Sequence, residues 1–408
     1  MLDSSFANNG AIQLETLRGR LVTSAQSDAD KIAVVEFGGN GETLTLLNAD
    51  GTLDSGFGSN GVVDLISQFE IATGRVFADL SPFRTTEIAF DSQGRILVVA
   101  SVTPSLEEPA FTSLLRLNTD GSIDNTFGLS GHNFQAGRGR IDRISIGPNG
   151  EIAFAGLFDN STTVWSYDSN GNVNNSFGVN SGVGISPEAL PPSPFGGPSL
   201  FSFFDHTADG SLVFLTGSSS SFTDVAAALV KLAPDGQLDQ SFGSGGTAFI
   251  PDADFNDPST AEENYTTAVI DDQGRIVVGG SRSFLRYSSD GQLDSSFGVN
   301  GQLVTPENVF DNGLILRDGI TEMVIDNQGR IVVLSSTLSN FFVRIDDTGN
   351  FDTTLSDDGI QLPDHFTDLI QFADIGIDSA SRIITIGSDN SIIFSGNVFV
   401  SRYVIEQS

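Results

Sequence analysis

Asp252, Asp254 and Asn256 alternate in "PDADFNDPSTAEEN" (251–264), and Glu263 stands at the twelfth position counted from Asp252. Alternating oxygen ligands closed by a carboxylate at that distance are the spacing of a calcium loop, so calcium is the cofactor the residue types point to. Two features weigh against it: Asp257 stands where such a loop needs glycine, and no helical pattern flanks it. Asp168, Asn170 and Asn172 alternate in the same way, but they coincide with a hairpin and read as a turn. Acid–base or nucleophilic chemistry has less to work with. His132, His206 and His365 lie in separate repeats, and no Gly-x-Ser-x-Gly elbow, His-Glu-x-x-His or phosphate loop occurs. Arg138, Arg140 and Arg143 cluster in "AGRGRIDRI", where they either bind a carboxylate or neutralise neighbouring acids.

Charge narrows the partners. The 408 residues carry 52 acids against 19 bases, a net charge of −33, and Lys31 and Lys231 are the only lysines. Such a field repels nucleic acid and anionic membranes and favours cations or basic ligands. Cysteine is absent, which excludes disulfides and thiolate sites. No apolar run is long enough to span a membrane as a helix, and "MLDSSFANNG" has neither a basic start nor an apolar stretch of a signal peptide. It opens in mid-repeat, which suits a piece of a longer chain or a strand that closes a ring.

Two phrases must position any site. One reads "LDSSF" at 2, "LDSGFG" at 53, "IDNTFG" at 123, "VNNSFG" at 173, "LDQSFG" at 238, "LDSSFG" at 293 and "FDTTL" at 351. The other, between its copies, reads "FDSQGRILVVAS" at 90, "IDDQGRIVVGGS" at 270 and "IDNQGRIVVLSS" at 325. Short β-branched runs around Asp/Asn-x-Gly are strand–turn–strand signals. With Pro148 and Pro234 two places before the turn glycine, the loops read as three-residue hairpins. Each repeat then holds four strands, a to d, and no stretch shows a capped helical period. Repeats of this size predict a seven-bladed all-β propeller of four-stranded antiparallel blades, one domain over 1–408. The last repeat ends after strand c, so residues 2–14 should complete the last blade.

Counting across the hairpins places Lys231 opposite Asp239, Arg116 opposite Asp124, Arg286 opposite Asp294 and Arg344 opposite Asp352. In the third blade both charges vanish together, as Ser166 and Asn174. Across the closure Arg402 should meet Asp3, and Asp54 alone, facing Leu46, is left without a base. Such pairs contribute about 0.2–1 kcal/mol each, so the repeated acid reads as structural. Phe57, Phe127, Phe177, Phe242 and Phe297, three places on, should pack between blades.

The pairing of Asp-Gly-x-Leu-Asp-x-x-Phe-Gly with Asp/Asn-x-Gly-Arg-Ile-x-Val resembles the delta-60 repeat family. That resemblance implies a bacterial β-propeller, secreted or surface-associated, and carries no catalytic residue to this chain. The a–b and c–d turns are uniformly short, whereas the d–a and b–c connections are long and irregular, among them 103–110, 186–198, 251–264 and 305–319. Variation, and so function, belongs with the second set. The expected protein is a monomeric, non-enzymatic binding scaffold for a protein, glycan or cation. Its rivals are a polysaccharide-active hydrolase or lyase and a purely structural module.

Overall fold

The structure, a computed structural model, describes residues 1–14, 20–38, 41–75, 83–102, 111–136, 139–158, 161–178, 182–184, 200–217, 227–250, 265–280, 283–305, 320–335, 340–355, 359–361, 370–389 and 397–404. Strand β1 (Ala11–Leu14) opens the chain, and the first blade is β2 (Arg20–Gln26), β3 (Ile32–Gly38), β4 (Gly41–Leu47) and β5 (Val62–Asp64). Helix α1 (Leu65–Thr73) follows. The second blade is β6 (Phe83–Phe90), β7 (Ile96–Val102), β8 (Phe111–Leu117) and β9 (His132–Ala136). The third is β10 (Gly139–Ile146), β11 (Ile152–Phe158), β12 (Ser161–Tyr167) and β13 (Gly182–Gly184).

The fourth blade is β14 (Leu200–His206), β15 (Leu212–Gly217), β16 (Ala227–Leu232) and β17 (Thr247–Phe249). The fifth is β18 (Tyr265–Ile270), β19 (Ile276–Gly280), β20 (Ser283–Tyr287) and β21 (Gln302–Val304). The sixth is β22 (Glu322–Ile325), β23 (Ile331–Ser335), β24 (Phe341–Ile345) and β25 (Ile360–Gln361). The seventh is β26 (Ile370–Ile377), β27 (Ile383–Asp389), β28 (Val398–Tyr403) and, on its outer edge, β1. The chain is a seven-bladed β-propeller of four-stranded antiparallel sheets.

Closure is as the repeat count requires. Ala11 pairs with Ser401 and Leu14 with Val398, and Asp3 N–H donates to Arg402 O at 2.8 Å. The amino-terminal strand thus covers what would be an open sheet edge.

Two compact units are distinguishable: residues 1–175 with 369–404, and residues 176–368. In the first unit, Ile32 and Val34 of β3 pack with Phe6, Ile384, Ile386 and Val400, while Ala33 and Val35 turn the other way, to Val98 and Leu115. In the second unit Val278 packs with Leu215 and Phe242, and Val277 with Val333 and Phe297. Middle strands are buried on both faces, which is why they read as unbroken apolar runs. The innermost strands β2, β6, β10, β14, β18 and β26 each carry a bulge at the same register, as between Thr85 and Glu87 or Phe372 and Asp374.

Helix α1 departs from the expectation of no helix. Asp64 caps it by accepting Ser67 N–H at 3.2 Å, Gly74 ends it at φ 67°, and Leu65 and Phe69, one turn apart, are buried. Its brevity hid it: two apolar residues one turn apart are too few to register as a period.

Candidate functional site

The signature carboxylates sit where the a–b and c–d turns gather, and each is fully occupied. One oxygen of Asp294 accepts Ser296 N–H at 3.0 Å and Ser296 Oγ at 2.6 Å, while the other accepts Arg286 Nε at 2.7 Å. Asp352 repeats this with Thr354 and Arg344, Asp124 with Thr126 and Arg116, and Asp3 with Ser5 and Arg402. In these four the residue after next is Ser or Thr and its hydroxyl donates to the acid, whereas Asp54 is followed by Gly56, which offers its N–H alone. A second base arrives from the a–b turn: Arg95 reaches Asp124 at 3.1 Å, Arg330 reaches Asp352 at 3.4 Å and Arg382 reaches Asp3 at 3.0 Å, while each also binds its own turn aspartate. Lys231 pairs with Asp239 at 3.3 Å, and Asn174 donates to Ser166 Oγ at 3.1 Å in the uncharged blade.

Asp54 corrects the expectation that it lacks a base. Lys31 Nζ lies 2.6 Å from Asp54 Oδ2. Lys31 precedes β3 as Arg95 precedes β7, so in the first blade the a–b turn supplies the base and Leu46 replaces the other. The hydrogen bond from Lys31 holds the Asp54 carboxyl below its ordinary 3.8.

The same motif fastens one blade to the next. Phe6, Phe57, Phe127, Phe242 and Phe297 are completely buried. The residue after each donates its N–H to the c–d turn of the following blade: Ala7 to Asp50 O, Gly58 to Asp120 O, Gly128 to Asn170 O, Gly243 to Asp290 O and Gly298 to Thr348 O, at 2.7–2.8 Å. The ring lies on that turn's glycine: a Cβ on Gly291 would come within 3.0 Å of Phe242 Cδ2, and one on Gly349 within 2.9 Å of Phe297 Cδ2. Glycine is needed there for clearance as well as for its φ near 79°. Three arginines add a bond of 2.5 Å to the same turn, Arg116 to Ser169 O, Arg286 to Asp347 O and Arg402 to Ala49 O, and lie over Phe127, Phe297 and Phe6 at 4.3–4.8 Å. Every charge so far is committed to architecture.

The innermost strands of the first unit differ. At the position following the bulge stand Thr23, Glu87, Arg143 and Asp374, all half-buried. Glu87 accepts Ile144 N–H of the next blade at 2.5 Å, and Asp374 accepts the Ser24 hydroxyl. Burial pushes the Asp374 carboxyl up to about 6, against the hydrogen bonds from Ser24 and Ile375 N. Deeper in the first blade, Glu42 accepts Thr85 N–H at 2.6 Å, and burial likewise raises its carboxyl above the usual range. Thr23, Glu87, Arg143 and Asp374, at the same register of their inner strands, are the candidate binding residues within the described structure. Arg143 belongs to the arginine cluster that the sequence singles out, whereas the repeat pattern missed Glu87 and Asp374 because it attends to the turns; acids among Ile, Ala and Phe at strand-a positions were the available signal.

Of the residues singled out by spacing, Asp252, Asp254, Asn256 and Glu263 lie outside the described residues, as do Arg138, His365, the stretches 103–110 and 186–198 and most of 305–319. Asp168 accepts Asn170 N–H at 2.9 Å and Asn172 N–H at 2.8 Å, which is the hairpin role expected of it. His132 is on β9 and His206 ends β14 in register with Phe90 and Ile146. The described residues contain no group of three or more His, Asp or Glu placed to hold a metal ion, and no helix among them is long and apolar enough to cross a membrane.

Comparison with known proteins returns the architecture. A family model described as "Domain of unknown function (DUF5122) beta-propeller" matches residues 92–127, 207–242 and 274–297, each stretch ending on a seam phenylalanine. No curated protein matches the sequence. Among solved structures, the chain is similar to virginiamycin B lyase from Staphylococcus aureus, with a TM-score of 0.51 and 10% identity over 97% of this chain and 98% of that one. It is also similar to one of two prolyl endopeptidases, with a TM-score of 0.53 and 12% identity over 94% of this chain and 46% of that one. At such identities the likeness is one of fold. The chain is thus a β-propeller whose repeats, in three of its blades, match a β-propeller repeat family.

Proposed function

We propose that this chain is a non-enzymatic binding scaffold of the delta-60 repeat type, secreted or held at a bacterial surface and acting as a monomer. Its ligand meets the d–a and b–c connections together with the polar inner-strand residues Glu87, Arg143 and Asp374. The observation that supports this reading is the division of labour among charges. The turn carboxylates are consumed in hydrogen bonds and ion pairs within the chain, whereas the irregular connections carry the sequence that the fold does not require. With a net charge of −33, the preferred ligands are cations, basic protein surfaces or neutral glycans. The stretch holding Asp252, Asp254, Asn256 and Glu263 is proposed as a calcium loop.

A glycan and metal-ion screen on the intact chain tests this. Saturable binding that weakens in Glu87→Gln or Arg143→Met is the expected result. Turnover of a polysaccharide by the purified chain would replace the scaffold with a hydrolase or lyase. For calcium, a rise in melting temperature at millimolar ion that is lost in Glu263→Gln is expected, and an unchanged melt removes the metal from the account.

A further inference from the structure

One seam of the first unit is chemically unlike its neighbours. On the innermost strands, the second and fourth residues after the bulge, and Met323 and Ile325 of β22, which carries none, face the preceding blade. They are apolar in most blades: Ile88 and Phe90, Ile144 and Ile146, Met323 and Ile325. In the first blade they are Ser24 and Gln26. Across from them on β26 stand Asp374 and Gly376. The registers fix the facing: Ser24 pairs with Val34 and Gln26 with Ile32, while Asp374 pairs with Ile386 and Gly376 with Ile384, and those four aliphatic residues form one cluster.

The polar groups are fitted to one another. Ser24 Oγ donates to Asp374 Oδ2, and Ile375 N–H donates to Oδ1 at 2.8 Å. The Gln26 amide oxygen occupies the space that a Cβ at 376 would take, so a side chain there would displace the amide from its present place. Gln26 Nε2 is buried without an acceptor. Two residues nearly the full length of the chain apart are thereby joined beside the closure strand.

We propose that this Asp374–Ser24–Gln26 seam is a proton-operated lock on the junction of the first and seventh blades, tight when Asp374 is neutral and loosened when it ionises. Among the described residues, no cation pairs with Asp374. Arg402 on β28 shares the face of Ile384 but is committed to Asp3 and Ala49 O, at the turn end. Glu36 on β3, on the face of Val34, adds a second acid. Asp389 ends β27, and Arg20 begins β2 at the end away from the turn. Among the described residues an ionised Asp374 has two hydrogen-bond donors, Ser24 Oγ and Ile375 N–H, no paired cation, and the aliphatic residues of the junction on its packed side.

The direction of the pH effect follows. A carboxyl raised from 3.8 to about 6 in the fold contributes stability in full below the unfolded value and loses it as pH rises through 6. Across that window the folding equilibrium changes by up to about a hundredfold. This is the reverse of the turn carboxylates, and it does not depend on the scaffold reading.

The test compares the intact wild-type chain with Asp374→Asn. Between about pH 5 and about pH 7.5, the wild-type melting temperature should fall, while that of the variant should stay level and match or exceed wild type at the upper end. A variant that keeps the wild-type slope overturns the lock. Should Asp374→Asn not fold, carboxyl-carbon NMR of the wild type decides: one aspartate titrating near pH 6, shifted in Ser24→Ala, supports the proposal, and all aspartates titrating below about pH 5 overturn it.

Discussion

The fourth and fifth blades solve the same problem with different cations. In the fifth, Arg286 spreads its guanidinium over Asp294 at 2.7 Å, Ser296 Oγ at 3.0 Å and the next blade's Asp347 O at 2.5 Å, with the Phe297 ring 4.8 Å away. In the fourth, Lys231 makes longer contacts, 3.3 Å to Asp239 and 3.6 Å to Asp209, and sends no bond to the following turn. Yet both seams close with the same backbone bond, Gly243 to Asp290 O and Gly298 to Thr348 O, each at 2.7 Å. Phenylalanine, glycine and main chain therefore make the seam, and arginine reinforces it. A planar fork can serve a carboxylate, a hydroxyl and a carbonyl at once, which a point charge on a flexible stem cannot.

Removing what the two seams share should do the most damage. Phe242→Ala and Phe297→Ala are expected to cost about 3–5 kcal/mol each, since a buried ring leaves a cavity that the rigid turn glycine cannot fill. Denaturant melts check this; a loss under about 1 kcal/mol would mean that the ring is dispensable. Next in size is the cation itself. Arg286→Met should cost about 2–3 kcal/mol, because it strips charge-assisted hydrogen bonds from Asp294 and from the Asp347 carbonyl of the next blade's turn. Lys231→Met should cost about 1 kcal/mol or less. Equal losses in the two variants would erase the distinction between the seams. The double exchange Asp239→Lys with Lys231→Asp should recover part of the loss caused by Asp239→Lys alone, and failure to do so would count against the register.

Acid sets the two kinds of carboxylate apart. The hydrogen bond from Ser241 holds Asp239 below 3.8, and that from Lys31 does the same for Asp54. Their folded values lie below the unfolded one, so their contribution is present in full above about pH 4 and is lost as pH falls through the folded values. Thermal melts should show this decline, set against the rise on acidification assigned to Asp374. Stability should then peak in mild acid; a peak above about pH 7 would contradict the assignment to Asp374, and no decline below about pH 4 would contradict that of the turn carboxylates.

Much of this was legible because a hairpin converts spacing into contact. Three-residue loops put Arg116 opposite Asp124 and Arg286 opposite Asp294 by counting alone, and the unpaired end strands implied closure. Lys31 was missed for a physical reason: counting across one hairpin finds the base on strand c, whereas Lys31 comes from the a–b turn, two strands away. Aligning "SDADKIAVV" with "DSQGRILVV" places Lys31 on Arg95 and would have found it. The partnership of Ser24 with Asp374 was beyond such counting, since facing strands of different blades have no fixed spacing. The residues chosen for calcium owe nothing to the repeat, so the repeat could not place them.

The smallest expected effect tests the correction itself. Lys31 is about a third exposed, so its pair with Asp54 is screened, and Lys31→Met should cost only about 0.5 kcal/mol. What distinguishes a true partner from a neighbour is coupling. In Asp54→Asn the carboxylate is gone but the hydrogen bond to Gly56 N–H survives through the amide oxygen, and there Lys31→Met should cost almost nothing. Restoring the repeat's usual base with Leu46→Arg should then make Lys31 redundant, because the arginine would hold Asp54 from strand c as Arg116 holds Asp124. If Lys31→Met is equally costly in all three backgrounds, Asp54 is not what Lys31 serves, and the first blade has a different device.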